Sequence, residues 1–335
     1  MDLLVKSLIH SLEPHGSLFR RRTTLLLGFS GGPDSLALAC ALKAALRLGK
    51  PGTAAPLLAL HVDHGWGEAS TRMAREARGL AQRMGVPFVL RRVEGGRGET
   101  GAREARYEVF GQVAREEGAG ALFLAHHQDD DLETLLHRML RGTGPLGLAG
   151  IPAQRELKAA PGCRILRPFL SFSKRSLLEA LDGLGLDPVT DPSNASQDLS
   201  IRHRIRHRLL PQLEARGDLP RLEALLDEAA GLRQAVEAEV QCALKAVDPL
   251  PPIRIPLSLL RELSPWGREE LLIRLLPRLG RKHRRPERKH LRFLDRLLQP
   301  SCPSGRRMES LGYWILERRK DMLVLRPAPG PRGIK

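Results

Sequence analysis

Residues Ser30-Gly31-Gly32-Pro33-Asp34-Ser35 lie between the apolar run Leu25-Leu26-Leu27-Gly28-Phe29 and the segment Leu36-Ala37-Leu38-Ala39-Cys40-Ala41-Leu42. So short an apolar run predicts a buried parallel strand, and the alanine- and leucine-rich segment predicts a helix, which makes the six residues a strand-to-helix turn. Adjacent glycines allow close backbone approach, and amides at a helix start point toward an anion, so the turn is a candidate phosphate cradle. Ser30 and Ser35 add hydroxyl donors. Asp34 would repel a phosphate, which points to a bridging cation or a role at the reacting centre. The stretch is not a Walker loop, which needs Gly-x-x-x-x-Gly-Lys-Ser/Thr.

Working outward, residues 57–63, 86–90 and 121–125 predict further strands. Helical spacing begins near Ser70, at Thr100 and at Asp129. This alternation predicts an α/β, doubly wound parallel sheet with its working edge at the carboxyl ends of the strands. Residues 165–169 form a late or edge strand, and Ser171 or Ser173 caps a helix through Leu184. Past Pro211 the pattern becomes leucine-rich and helical over 219–246 and 257–279, interrupted by Asp248-Pro249-Leu250-Pro251-Pro252, and residues 306–325 read as a short hairpin. The organisation expected is a catalytic domain over 1–211, a helical domain over 212–285, and a small basic α+β region over 286–335.

A second constellation, Ala125-His126-His127-Gln128-Asp129-Asp130-Asp131-Leu132-Glu133-Thr134, sits where the fourth strand gives way to a helix, on the same edge as the glycine turn. Asp130 and Asp129 stand three and four residues before Glu133, so each pair can share a helix face. One acid at a helix start only complements the dipole. Four acids and two histidines within eight residues exceed that need, and carboxylates suit magnesium better than zinc. His61, Asp63 and His64 close the second strand and are assigned only proximity to the nucleotide.

Two arginine groups follow. Arg103 and Arg106 are one turn apart on a helix whose default reading is a solvated ion-pair face. Residues 201–209, Ile-Arg-His-Arg-Ile-Arg-His-Arg-Leu, place Ile201, Ile205 and Leu209 on one narrow stripe and give the rest of the circumference to Arg202, Arg204, Arg206 and Arg208. So much guanidinium suits forked contacts to phosphates or carboxylates better than it suits water. Asp191-Pro192-Ser193-Asn194 just before it is turn chemistry.

The whole chain agrees. Its 335 residues carry 54 Lys plus Arg against 38 Asp plus Glu, a net +16 that favours a polyanionic partner. Aromatics at 4% argue against a stacking platform for long single strands. The four cysteines, Cys40, Cys163, Cys242 and Cys302, form no Cys-x-x-Cys pair. The N-terminus lacks a basic stretch followed by an apolar core and no run is long enough for a membrane span, so a cytoplasmic protein is expected.

Ser30 to Ser35 resembles the pyrophosphate-binding loop of the N-type ATP pyrophosphatases, which adenylate a carbonyl oxygen and release pyrophosphate. Joined in order by His61-Val62-Asp63-His64-Gly65, the 125–134 motif, Arg141-Gly142 and Asp191-Pro192-Ser193-Asn194 ahead of the Arg/Ile helix, it resembles the tRNA(Ile)-lysidine synthases within that superfamily. The match covers about residues 25–211, and the remainder fits more loosely. It implies the adenine nucleotide alpha hydrolase-like fold and a two-step reaction. The wobble cytidine O2 of a tRNA(Ile) with a CAU anticodon attacks the α-phosphate of ATP, then the ε-amine of free L-lysine attacks C2 and expels AMP.

On that resemblance Ser30, Gly31, Gly32, Pro33, Asp34 and Ser35 hold ATP, and Asp34 and Asp130 hold Mg2+. Glu133 binds or deprotonates the lysine amine, and Arg103 orients the reactants. Arg106, Arg202, Arg204, Arg206 and Asn194 contact substrate or tRNA. A homodimer is among the assemblies expected. The chain departs from the family pattern at Asp131, where glutamine is usual, at Gly65-Trp66-Gly67 in place of Gly-Leu-Arg, and at His203 in place of asparagine. These changes touch lysine and base contacts rather than adenylation. The competing readings are an ATP-dependent tRNA thiolase, which needs the paired cysteines this chain lacks, and a non-catalytic basic RNA-binding protein, which has no use for Asp34, Asp130 and Glu133 together.

Overall fold

The computed structural model describes residues 1–12, 23–48, 55–65, 67–93, 98–189, 201–280, 286–310 and 313–328. The chain divides into two compact units, residues 1–142 with 150–226, and residues 143–149 with 227–335.

The first unit opens with α1 (Asp2–Leu12), β1 (Thr24–Gly28), α2 (Pro33–Leu48), β2 (Leu57–Asp63), α3 (Glu68–Arg83), β3 (Phe88–Arg92), α4 (Gly98–Glu116), β4 (Ala119–Phe123) and α5 (Gln128–Leu140). After α6 (Pro145–Leu148), which belongs to the second unit, come β5 (Gln154–Glu156), β6 (Arg164–Leu166), α7 (Lys174–Leu181), α8 (Ile201–Arg204) and α9 (Leu210–Ala215). The sheet order is β3-β2-β1-β4-β6-β5, parallel throughout except for β5, which runs antiparallel at the edge. The expected late strand is therefore interior, covered by a short strand of alternating exposure that sequence periodicity does not register.

Strand alternation divides the apolar residues between two layers. Leu25 and Leu27 pack with Leu8, Leu36, Leu42, Leu80 and Leu177 on one face, while Leu26, Leu60 and Leu122 pack with Phe110 and Val113 of α4 on the other. Each fully buried leucine contributes about 1.5–3 kcal/mol. Burial on both faces makes the strands read as unbroken apolar runs. The chain order reverses between β1 and β4, and the carboxyl ends of those two neighbours border the crevice where doubly wound sheets bind ligands.

The stripe expected at Ile201, Ile205 and Leu209 is shifted. Ile201 is 41% exposed, Ile205 is buried, and the next buried residue is Leu210. Residues 205–209 form a π turn in which the Leu210 N–H donates to the Ile205 carbonyl, so the buried repeat lengthens to five residues. Pro211 supplies the cause, since it has no N–H for the preceding turn and its ring crowds the carbonyl four residues back.

The second unit contains α6, most of α10 (Leu219–Lys245), β7 (Ile253–Pro256), α11 (Leu257–Glu262), α12 (Pro265–Leu275), α13 (Arg288–Leu297), β8 (Arg307–Ser310), β9 (Trp314–Arg319) and β10 (Met322–Pro327). Its antiparallel sheet has the order β7-β10-β9-β8. The hairpin read near the C-terminus is β9–β10. It gains β7 from residues just past the proline-rich interruption, and helices and strands share one apolar cluster around Trp314, Leu271, Leu297 and Leu323. The helical run expected over 257–279 is broken at Ser264, whose hydroxyl accepts the Gly267 N–H and starts α12.

Candidate active site

The β1 exit is closed by its own residues. The Gly31 N–H donates to Ser35 Oγ at 3.1 Å, the Gly32 N–H donates to Ser30 Oγ at 3.2 Å, and Ser35 Oγ donates to the Gly32 carbonyl at 3.0 Å. Ser35 is buried, so its hydroxyl shapes the loop. Gly31 has φ +83°, and a Cβ there would lie 2.7 Å from Val189 Cγ2 and 3.1 Å from Ala77 Cβ, so no side chain fits. Asp34 follows in the first turn of α2.

The β4 exit delivers the acids. His127 caps α5 and is buried between carboxylates, its Nε2 lying 3.5 Å from Asp130 Oδ2 and 3.7 Å from Asp34 Oδ2, its Nδ1 3.5 Å from Asp129 Oδ1. The His127 N–H donates to Asp130 Oδ2 at 3.1 Å. Thus His127 joins the two strand exits. Burial works against its charging, but Asp129, Asp130 and Asp34 outweigh burial and raise its pKa above the ordinary 6.5.

Burial raises Asp34, against the opposing pull of Lys174 and His127. One of its oxygens, Oδ1, is buried without a hydrogen-bond partner, while Oδ2 lies 3.8 Å from Lys174 Nζ. Glu133, one helical turn past Asp130, is 6% exposed. Arg206, in the π turn, reaches Glu133 Oε2 at 2.7 Å and Asp130 Oδ1 at 2.9 Å through the same Nη2, and Arg202 Nε stands 3.9 Å from Glu133 Oε1. Burial raises Glu133 above the ordinary carboxylate value, and Arg206 pulls it back only in part.

Asp34, Asp130, Glu133, Arg202 and Arg206 thus converge. Asp129 and Asp131 instead hold the scaffold. Asp129 Oδ1 accepts the Lys174 N–H at 3.0 Å at the start of α7, and Asp131 Oδ1 accepts the Ile151 N–H beside Gly150, whose φ is +54°. Asp131, the departure from the family pattern, therefore fixes the 150–151 turn. The rings of His203 and His207 lie with centroids 4.2 Å apart, tilted by 36°. Gly67 has φ +93°, and Trp66 lies outside the described residues.

Arg103 does not join the acids; its guanidinium lies 5.3 Å from the Tyr107 ring centroid. Arg106 and Arg204 are exposed. Asn194, with Asp191, Pro192 and Ser193, lies outside the described residues. At the end of β2, His61 Nδ1 meets the Phe29 carbonyl at 2.9 Å and Asp63 Oδ1 accepts the Gly65 N–H at 2.9 Å, so both brace the turns beside the crevice.

Sequence reading passed over Lys174 and Arg167. Arg167 is 3% exposed, and an arginine inside an apolar strand run was the available signal, because a buried guanidinium must find acceptors.

Residues 4–213 match the family model described as the PP-loop domain. The tRNA(Ile)-lysidine synthase of Methylobacterium sp. (strain 4-46) is 35% identical over 331 residues, 93% of this chain and 91% of that protein. That of Salinispora arenicola (strain CNS-205) is 34% identical over 314 residues, 91% of each. Among solved structures, the U34-tRNA thiolase of Methanococcus maripaludis superposes with a TM-score of 0.56 over 70% of this chain and 78% of that one at 17% identity, a likeness of fold alone. Similarity that spans both units, together with the glycine turn and acid helix at one switch point, places the chain in the tRNA(Ile)-lysidine synthase family of PP-loop proteins.

Proposed function

We propose that this protein ligates free L-lysine to C2 of the wobble cytidine of a tRNA(Ile) with a CAU anticodon, consuming ATP and releasing pyrophosphate and AMP. The observation that carries the reading is the convergence of Asp34, His127, Asp130 and Glu133 at the exits of two neighbouring parallel strands.

In the first step the cytidine O2 bonds to the α-phosphorus and the bond to pyrophosphate breaks. The glycine turn cradles the departing phosphates, with Ser30 and Ser35 holding its shape, and Lys174 brings positive charge beside Asp34. In the second step the lysine Nζ bonds to C2, the C2–O2 bond breaks, and AMP leaves. The attacking amine must be neutral, and Glu133, raised by burial, is placed to take its proton. Arg206 bridges Glu133 and Asp130 through one nitrogen, and Arg202 adds a second positive charge near Glu133. Arg103 and Arg106 at the start of α4 meet the anionic substrate, and the basic surface of the second unit grips the tRNA body.

The residues fit a magnesium ion. Asp34 offers a buried, unpartnered carboxylate oxygen close to Asp130. An ion held there by one or two carboxylates would be completed by phosphate oxygens. Bound there, magnesium would neutralise charge on the phosphates.

Incubation with ATP, labelled lysine and a pool of tRNAs tests the reading. Label is expected only on the tRNA with a CAU isoleucine anticodon. Pyrophosphate release without lysine incorporation would restore the thiolase reading, and ATP binding without turnover would favour an RNA-binding module.

A further inference from the structure

His126 neighbours His127 yet is held by a cation where His127 is held by carboxylates. Arg167, just past β6, donates through Nε to His126 Nδ1 at 3.3 Å, through Nη1 to the Pro152 carbonyl at 2.6 Å, and through Nη2 to Tyr107 Oη at 3.2 Å. Tyr107 is itself clasped by Arg103 and Arg155, whose guanidinium carbons lie 5.3 and 4.6 Å from its ring centroid. The guanidinium is thus fixed on all three nitrogens and has almost no freedom to turn.

A guanidinium donates and never accepts. Nδ1 of His126 must therefore carry a lone pair, and the single N–H of the neutral ring must sit on Nε2. Burial, reinforced by the repulsion of Arg167, holds the ring's pKa at about 4, so the neutral form persists at physiological pH. Nε2 has no protein partner among the described residues, and the ring, mostly covered, keeps a partial opening at the β4 exit, the edge that carries Asp130. A neutral donor of fixed direction, uncoupled from solution pH, is what an oxygen gaining charge in a transition state needs.

We propose that Arg167 is a positioning residue that locks His126 in its Nε2–H form, and that this N–H donates to an oxygen of the α-phosphate during adenylation. The inference rests on the adenylation reading of the site, but its first test needs no substrate. In protein labelled with 15N-histidine, long-range proton–nitrogen correlation, assigned by the signal lost in His126→Gln, is expected to show Nδ1 bare and Nε2 protonated at pH 7. In Arg167→Met the two forms should mix. A proton on Nδ1 in the unaltered protein would overturn the proposal.

Kinetics supply the second test. Glutamine can place its amide nitrogen near the Nε2 position and asparagine near the Nδ1 position. Pyrophosphate release by His126→Gln should stay within about tenfold of the unaltered protein, and that by His126→Asn should fall about a hundredfold, the size of one lost preorganised donor. Equal loss in both variants, or loss in neither, would contradict the assigned donor. This pair carries the test if Arg167→Met does not fold. Failure of the unaltered protein to transfer lysine would remove the functional reading and leave the tautomer result standing.

Discussion

At the exit of β1, Ser30, Gly31, Gly32 and Ser35 hydrogen-bond to one another over at most five residues of chain. At the exit of β4 the partners come from far away. Asp34 approaches His127, the Lys174 amide meets Asp129, and Arg206 crosses from 73 and 76 residues off to Glu133 and Asp130. A self-closed turn draws most of its shape from its own residues, with one outside hydrogen bond from the Val189 N–H to the Gly31 carbonyl. A converging cluster exists only when the whole unit is folded, and it balances buried acids against a few cations.

The contrast can be broken first at Asp34, which belongs to both exits. Asp34→Ala should lower pyrophosphate release by about a thousandfold, about ten times the effect expected for losing one neutral donor. Near-normal release in a stopped assay would show that the two exits do not form one centre. In the self-closed turn, Gly31→Ala should destabilise the protein by about 2–4 kcal/mol, combining left-handed backbone strain with a clash against Val189 and Ala77. Gly32→Ala, whose Cβ would meet only Ser30 Oγ at 3.4 Å, should cost under about 1 kcal/mol. Equal denaturation midpoints for the two variants would refute this account of the turn.

The converging cluster responds to pH. The folded-state pKa of His127 is raised by Asp129, Asp130 and Asp34 against its burial, so its contribution is complete below 6.5 and is lost as pH rises through the folded value. Thermal unfolding of protein free of nucleotide should therefore show a stability loss above pH 6.5 that His127→Gln abolishes. A slope unchanged in the variant would assign it elsewhere. Among the acids of the converging cluster the smallest effect belongs to Asp131→Asn, which keeps an acceptor for the Ile151 N–H. Activity should be unchanged and stability lowered by about 1 kcal/mol, as calorimetry would read.

The same contrast explains what the sequence could tell. The parallel strands and both loops were legible because apolar runs and turn residues act locally, so Ser30 to Ser35 and the 125–134 motif fell on the right edge of the sheet, while the spatial order of the strands comes from the fold. Residue types at the β4 exit were legible as well, but not their division of labour. By residue type alone Asp129 and Asp131 match Asp130; the resemblance marks Asp130 for the cation, and the folded backbone of Lys174 and Ile151 shows what the other two hold. Arg206 stands in the sequence beside Arg202 and Arg204 as a substrate contact, with nothing to separate the three. The π turn that singles it out depends on Pro211, whose effect reaches back up the helix. Arg103, expected to orient the reactants, lies over the ring of Tyr107, which Arg155 and Arg167 also contact, a placement that no local spacing announces.

The central claim is that the two exits adenylate first and that Glu133 serves only the lysine step. The direct measurement is pyrophosphate release and labelled-lysine transfer in parallel, with the CAU tRNA(Ile), for the unaltered protein and Glu133→Gln. The account predicts that pyrophosphate release by the variant stays within about threefold while lysine transfer falls at least about a hundredfold. Loss of both activities in equal measure, with the variant folded, would contradict it.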